Sequence, residues 1–113
     1  MTTYQTGLFA EFVARMYLRL HGFRIVRRRY TTGRNTGRAE IDIIARRGNL
    51  MIFVEVKKRC DIPTGLDAIT YRQSGRLRRA AETFIARSGW TGDARFDIIV
   101  VTPHNIKWIR AGI

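Results

Sequence analysis

A chain of 113 residues, 45% of them hydrophobic, suits one domain with one modest core and is too apolar for intrinsic disorder. Its apolar runs are all short, which excludes a transmembrane helix; a single cysteine, Cys60, excludes an internal disulfide and fits a reducing cytosol. With 21 Lys and Arg against 9 Asp and Glu the formal net charge is +12, and among the basic residues only Lys57, Lys58 and Lys107 are lysines. Such a field draws polyanions, nucleic acid first, and the planar arginine fork matches phosphate. The bland alternative is a basic surface kept for solubility or for an acidic protein.

The N-terminal stretch MTTYQTGLFAEFVARMYLRL is broken by Glu11, Arg15 and Arg19. It lacks the apolar run of a secretory signal and reads as part of the fold. Leu8, Phe9, Phe12, Val13, Met16, Tyr17 and Leu20 recur at helical spacing, with Thr6 placed to cap that helix and Gly22 to end it. Phe23 to Tyr30 alternates apolar and basic residues and predicts a strand. The turn-rich TTGRNTGR, Thr31 to Arg38, predicts a loop. Two strong strands follow, Ala39–Arg46 and Leu50–Arg59. A second helix is predicted over Gly65–Arg87, with Leu66, Ile69, Leu77, Ala80, Ala81, Phe84 and Ile85 on its apolar face and Gly75 near its middle. Arg95–Thr102 predicts a buried strand, and Ile106–Arg110 a short last one after a Pro103-His104-Asn105 turn. The order α-β-β-β-α-β-β describes a single α/β domain over residues 1–113, a central mixed β-sheet flanked by helices.

The stretch AEIDIIARRGNLMIFVEVKKR, Ala39 to Arg59, places three carboxylates in two strand-like runs, where acids are poorly tolerated. Gly48-Asn49 is a favoured two-residue hairpin loop. With that loop, Arg47 pairs with Leu50, Asp42 faces Glu55 and Glu40 faces Lys57. Facing residues share a side and side chains alternate, so Glu40, Asp42, Glu55 and Lys57 are expected on one face and Ile41, Ile43, Val54 and Val56 on the other. Two opposed carboxylates repel unless one is protonated or a cation lies between them. All-oxygen ligation without Cys or His suits Mg²⁺ or Mn²⁺, which keep waters and accept phosphate oxygens. Lys57, on the same face, is then placed to position a water or to stabilise charge on a phosphoryl group, and the reaction class is phosphodiester hydrolysis. The competing reading is a solvated sheet surface with a Glu40–Lys57 bridge worth about 0–1 kcal/mol.

These residues resemble a known superfamily. Asp…Glu-x-Lys on a β-hairpin, preceded by a helix bearing a glutamate, is similar to the restriction-endonuclease-like PD-(D/E)xK nucleases. More narrowly, the chain resembles the uncharacterised bacterial YraN family in Gly7-x-x-x-Glu11, Glu40–Ala45, Phe53–Arg59, Arg76–Ala81 and Arg95–Asp97, stretches spread over nearly the whole chain. The resemblance implies a restriction-endonuclease-like fold and a metal site at Asp42, Glu55 and Lys57, with Glu40 and Glu11 in support. It also implies kinship with Holliday-junction resolvases, hence branched or structured DNA as substrate and, since two opposed strands need two sites, a homodimer. The chain departs from the family at Ala39, where glycine is usual, at Arg29, where asparagine is frequent, and at Gln73, near which the family carries a lysine.

Glu11 is either an i,i+4 partner of Arg15 or, by the resemblance, an outer metal ligand. Arg27, Arg28, Arg29, Arg34 and Arg38 are the expected phosphate contacts, with Arg72 of the second helix, and Tyr30 is placed to stack on an unpaired base. Asp97 beside Arg95 reads as a buried salt bridge. His21 and His104 form no ligand pair, and Cys60 has no catalytic histidine beside it. Gly33-x-x-x-Gly37 lacks the ending of a phosphate loop, and Trp90 and Trp108 read as packing residues. The expected function is a cytoplasmic, Mg²⁺-dependent DNA endonuclease. Its rivals are a non-catalytic nucleic-acid-binding module of the same fold, favoured by Gln73, and an adaptor in a DNA-processing complex.

Overall fold

A computed structural model describes residues 3–33, 39–59 and 71–110. Helix α1 spans Thr3–Leu20, so Thr6 lies inside the helix rather than capping it. It ends as the glycine requires. Gly22 takes φ 86°, its amide bonds Arg19 O at 3.0 Å, and the Phe23 amide bonds Leu18 O at 3.0 Å. These two bonds satisfy the last carbonyls in a Schellman closure. Strands β1 (Arg24–Thr31), β2 (Glu40–Arg47) and β3 (Leu50–Lys58) follow, then α2 (Tyr71–Ser88), β4 (Asp93–Val101) and β5 (Ile106–Ile109). The element order matches the sequence expectation, with strand ends shifted by a residue or two. The expected start of the second helix at Gly65, with Leu66 and Ile69, falls outside the described residues.

The five strands lie in chain order, β1-β2-β3-β4-β5. The first three are antiparallel, β3 and β4 are parallel, and β5 returns antiparallel to β4. A parallel β3–β4 pair needs a crossover, and α2 lies in that connection. One sheet face packs Ile43, Ala45, Ile52, Val54 and Ile99 against Ala10, Ala14 and Leu18 of α1. The other packs Ile44, Met51 and Phe53 against Leu77, Ala80, Ala81 and Phe84 of α2. The molecule is thus a mixed α/β fold, a five-stranded sheet between two helices. Neither helix is long and apolar enough to cross a membrane.

The buried face of α1 is not the one the large apolar residues mark. Ala10, Ala14 and Leu18 are buried, whereas Phe9, Phe12, Met16 and Leu20 are 54%, 49%, 40% and 82% exposed. The sheet supplies the bulk through Ile43, Ile52, Val54 and Ile99. Two methyl side chains on the helix let the layers approach closely, and larger groups in that row would overpack.

The far edge is tied by Asp97, which is fully buried. Its carboxylate accepts bonds from Arg95 Nε and Nη2, both at 2.8 Å, and from Trp108 Nε1 at 2.8 Å. The expected Arg95 bridge is present, and Trp108 adds a bond from β5. A buried charge is tolerable only with such pairing. Trp108 also packs edge-on to Tyr17, His21 and Phe23, which joins β5 to the end of α1.

Candidate active site

The hairpin register is the expected one. Arg47 pairs with Leu50 and the β2–β3 ladder runs back to Ile43↔Val54. Gly48 takes φ 59° while Asn49 stays out of the left-handed region, the Gly-first pattern of a type II′ turn. Beyond Ile43 and Val54 the ladder stops. Asp42 Oδ2 accepts the Val56 N–H at 2.8 Å, so a side chain takes over a backbone donor where the strands part.

The expected sharing of faces fails at the same point. Ile43, Val54 and Val56 pack on the α1 side, but Ile41 packs with Tyr30, Phe53 and Leu77 on the α2 side. β1 is irregular at the same level. Tyr30 pairs with Ile41 and Arg28 with Ile43, which sets Arg29 level with Asp42, and Arg29 has φ 51°. A residue in the left-handed region re-aims the chain and breaks strict alternation.

Asp42 and Glu55 nevertheless come together. Glu55 is 8% exposed and Asp42 is half-buried. Burial and then the neighbouring Glu55 charge push the Asp42 carboxyl up to about 8, and the Val56 amide only partly offsets this. Burial raises Glu55 as well, against the pull of Lys57. Lys57 Nζ lies 3.5 Å from Glu55 Oε1, a long contact for an ion pair. Glu55 Oε2 is buried with no hydrogen-bond partner among the described residues.

Glu40 and Glu11 are placed differently from expectation. Glu40 is exposed and pairs with Thr31 across β1–β2; no Glu40–Lys57 bridge forms, because the ladder has ended, and its charge reaches Glu55 only as a further repulsion. Glu11 accepts a bond from Arg29 Nε at 3.0 Å and is near enough to raise Asp42. Its hydrogen-bond partner is thus an arginine 18 residues away, and its charge acts on Arg15 as well. Among the described residues no group of three or more His, Cys, Asp and Glu side chains gathers closely enough to hold a metal.

The donor set fits a hard cation of low protein coordination. Burial raises the proton affinity of both carboxyls, the Glu55 charge raises that of Asp42 further, and one buried Glu55 oxygen has no hydrogen-bond partner among the described residues, so the pair is short of positive charge. Mg²⁺ is commonly held by one or two carboxylates, its other positions going to water and phosphate. Asp42 and Glu55 would hold it. Bound there, it would supply an activated water and charge neutralisation at the phosphoryl oxygens. The chain's own contribution is legible without it. Val56 N–H fixes the Asp42 rotamer. Lys57, on the strand that carries Glu55, brings an ammonium to the same point, where it can hold a water or an anionic oxygen.

Among the expected phosphate contacts, Arg27 and Arg28 are exposed on β1, and Arg29 is partly buried against Glu11. Arg15 of α1 stands among Arg28, Arg29 and Arg19, and burial followed by the Arg28 charge lowers its pKa. Helical periodicity shows nothing of that cluster, which joins α1 to β1 only in the fold. Arg34, Arg38 and the side chains of Arg72 and Gln73 lie outside the described residues, as do Cys60 and Gly37. Tyr30 is 7% exposed, wedged between the Arg27 guanidinium and Phe84, and is not free to stack on a base. Trp90 packs at the edge, its ring under Arg46 and its N–H on Asp93 O at 2.9 Å.

Fold and site together define a mixed α/β domain with a buried carboxylate pair beside a lysine on a strongly basic surface. Residues 10–101 match the profile described as "Uncharacterised protein family UPF0102", and the chain belongs to that family. A UPF0102 protein of Paramagnetospirillum magneticum is 39% identical over 102 residues, 88% of this chain and 79% of the relative. Another, from Rhizobium meliloti, is 41% identical over 106 residues, 92% of this chain and 82% of its own. A third, from Parvibaculum lavamentivorans, is 38% identical over 112 residues, 97% of this chain and 80% of its own.

Proposed function

We propose that this chain is a Mg²⁺- or Mn²⁺-dependent endonuclease of the restriction-endonuclease-like PD-(D/E)xK class, the placement that the resemblance to the YraN family also implies. It hydrolyses phosphodiester bonds in DNA, branched or otherwise structured DNA in particular, in the cytoplasm and as a homodimer. The observation that carries this reading is the Asp42–Glu55 pair, charge-deficient and partly buried beside Lys57. Asp42 and Glu55 hold the cation, Lys57 assists the water or the phosphate, and the β1 arginines hold the strand. Glu11 supports the site through Arg29, and Glu40 adds negative charge at its rim.

The test is cleavage of duplex, single-stranded and four-way-junction DNA with Mg²⁺, with Mn²⁺ and with EDTA. Cleavage is expected with either metal and not with EDTA. Lys57→Ala is expected to slow it at least about a hundredfold while leaving DNA binding intact. Cleavage by Lys57→Ala at the wild-type rate would sink the assigned mechanism. The second reading, a non-catalytic nucleic-acid-binding module, is favoured by Gln73 and by the absence, among the described residues, of a third acidic side chain close enough to share a metal with the pair. Metal-independent binding without any cleavage would select it. Failure to bind any of the DNAs at low salt would select the adaptor.

A further inference from the structure

On the α2 side of the sheet, β1 and the C-terminal end of α2 enclose a cleft of about 250 Å³ lined by Arg27, Tyr30, Phe84, Arg87 and Ser88. Among the described residues no carboxylate lines it. Among the described residues neither Arg27 nor Arg87 makes a salt bridge. The Arg27 guanidinium lies 5.4 Å from the centre of the Tyr30 ring. Tyr30 is 7% exposed, and its hydroxyl is buried with no hydrogen-bond partner among the described residues. The Ser88 hydroxyl is already used, donating to Ile85 O at 3.3 Å. Among the described residues the cleft is therefore lined by two cations and no carboxylate, and one of its lining residues carries a buried O–H donor without a partner.

An unsatisfied buried hydroxyl is costly, and two guanidiniums sharing one cleft repel. One anion with several acceptor oxygens relieves both. A phosphate group has that form and takes guanidinium forks in charge-assisted bonds. Along the strands the cleft is level with the candidate active site. Arg27 pairs with Ile44 and Tyr30 with Ile41, so the two residues bracket the level of Asp42 along β2. Two residues of strand span on the order of 7 Å.

We propose that this cleft binds one backbone phosphate of the nucleic-acid strand whose neighbouring linkage lies at Asp42 and Glu55, with Arg27, Arg87 and the Tyr30 hydroxyl as its donors. The inference rests on the nucleic-acid reading above but not on cleavage, so the two can fail separately.

The test titrates wild type, Tyr30→Phe and Arg87→Gln in EDTA, first with inorganic phosphate, then with a single-stranded oligonucleotide carrying no terminal phosphate, followed by amide NMR shifts. Both ligands are expected to move the amides of Arg27, Tyr30, Arg87 and Ser88 in wild type. Each variant is expected to weaken both about tenfold, the loss of one bond to a charged group. Without ligand, Tyr30→Phe is expected to melt no lower than wild type, because its hydroxyl makes no bond. Wild-type phosphate affinity in both variants, shifts confined to other residues, or a clear drop in melting temperature for Tyr30→Phe would each overturn the proposal. Loss of phosphate binding with unchanged oligonucleotide affinity would overturn the backbone-phosphate assignment in favour of a free phosphate. Intact cleft binding in a protein that cleaves nothing would remove the nuclease reading and leave the cleft standing.

Discussion

Asp42 and Glu55 sit together at a point where the fold gives them too little positive charge. The Asp42 carboxyl, pushed up to about 8 chiefly by burial, binds its proton more tightly folded than unfolded. Below about pH 4 both states are protonated and the contribution to stability is complete. As pH rises towards about 8 the unfolded chain releases that proton first, so stability falls; above about 8 the contribution is gone. The metal-free protein is therefore expected to melt lower at pH 8 to 9 than at pH 5 to 6, all approximate values set by the same linkage. Asp42→Asn keeps an acceptor for Val56 N–H and removes the charge, so its melting temperature is expected to change less with pH and to equal or exceed that of wild type at about pH 8. Saturating Mn²⁺ is expected to raise the melting temperature of wild type and to do much less for the variant. Calorimetry across pH, with and without Mn²⁺, checks both. A metal-free Asp42→Asn that is unfolded would make the Val56 bond, not the charge, the purpose of Asp42. The pairing of these two acids was legible in the sequence, because a two-residue turn sets a register and a register sets who faces whom.

At the scale of elements, the β2–β3 turn and the start of β4 are locked together. The Asp93 amide donates to Asn49 O at 2.8 Å. A Cβ added at Gly92 would meet Asn49 Oδ1 at 2.5 Å, the Trp90 ring at 2.5 Å and Asn49 O at 2.6 Å. One of those atoms is backbone and another belongs to a ring held by its own hydrogen bond, so the site cannot simply yield. Gly92→Ala is expected to destabilise the protein by about 1–3 kcal/mol, the usual cost of overpacking, as read from urea denaturation. Gly89→Ala, with φ 72° but nothing within 4 Å, tests the backbone effect alone and is expected to cost less, about 1 kcal/mol. Nothing in the sequence marks Gly92. Its neighbour Asn49 is far along the chain, and only the parallel β3–β4 pairing, Leu50 with Asp93, brings them into contact. The helices divide in the same way. Periodicity located α1, yet the larger apolar residues drew attention to a stripe that faces outward while two alanines face the sheet.

Over the whole molecule the net charge of +12 is the dominant property. Binding to DNA is expected to fall by a factor on the order of 10³ between about 50 and 200 mM salt if six phosphates are neutralised. Arg27→Ala and Arg28→Ala are each expected to lower the salt slope by about one. Arg29→Ala is expected to lower it less, since Arg29 already meets Glu11. Fluorescence anisotropy at several salt concentrations measures all three. An affinity independent of salt would remove the polyanion reading altogether.

Some of this protein follows from its sequence alone. Period-two and helical spacing, with Gly22 and Gly48-Asn49 as punctuation, carry the element order and the β2–β3 register, because these are short-range properties. The Arg95–Asp97 bridge is short-range too. The rest depends on which surfaces meet. Arg29 and Glu11 pair across 18 residues, Ile41 packs on the α2 side, and the β2–β3 ladder ends short of Asp42. The cleft of Arg27, Tyr30 and Arg87 exists only once α2 lies against β1. A sequence states which residue types are available at which spacing. How deeply a carboxyl is buried, and which charge stands beside it, is decided by packing between elements distant in the chain, and that packing sets the chemistry of Asp42 and Glu55.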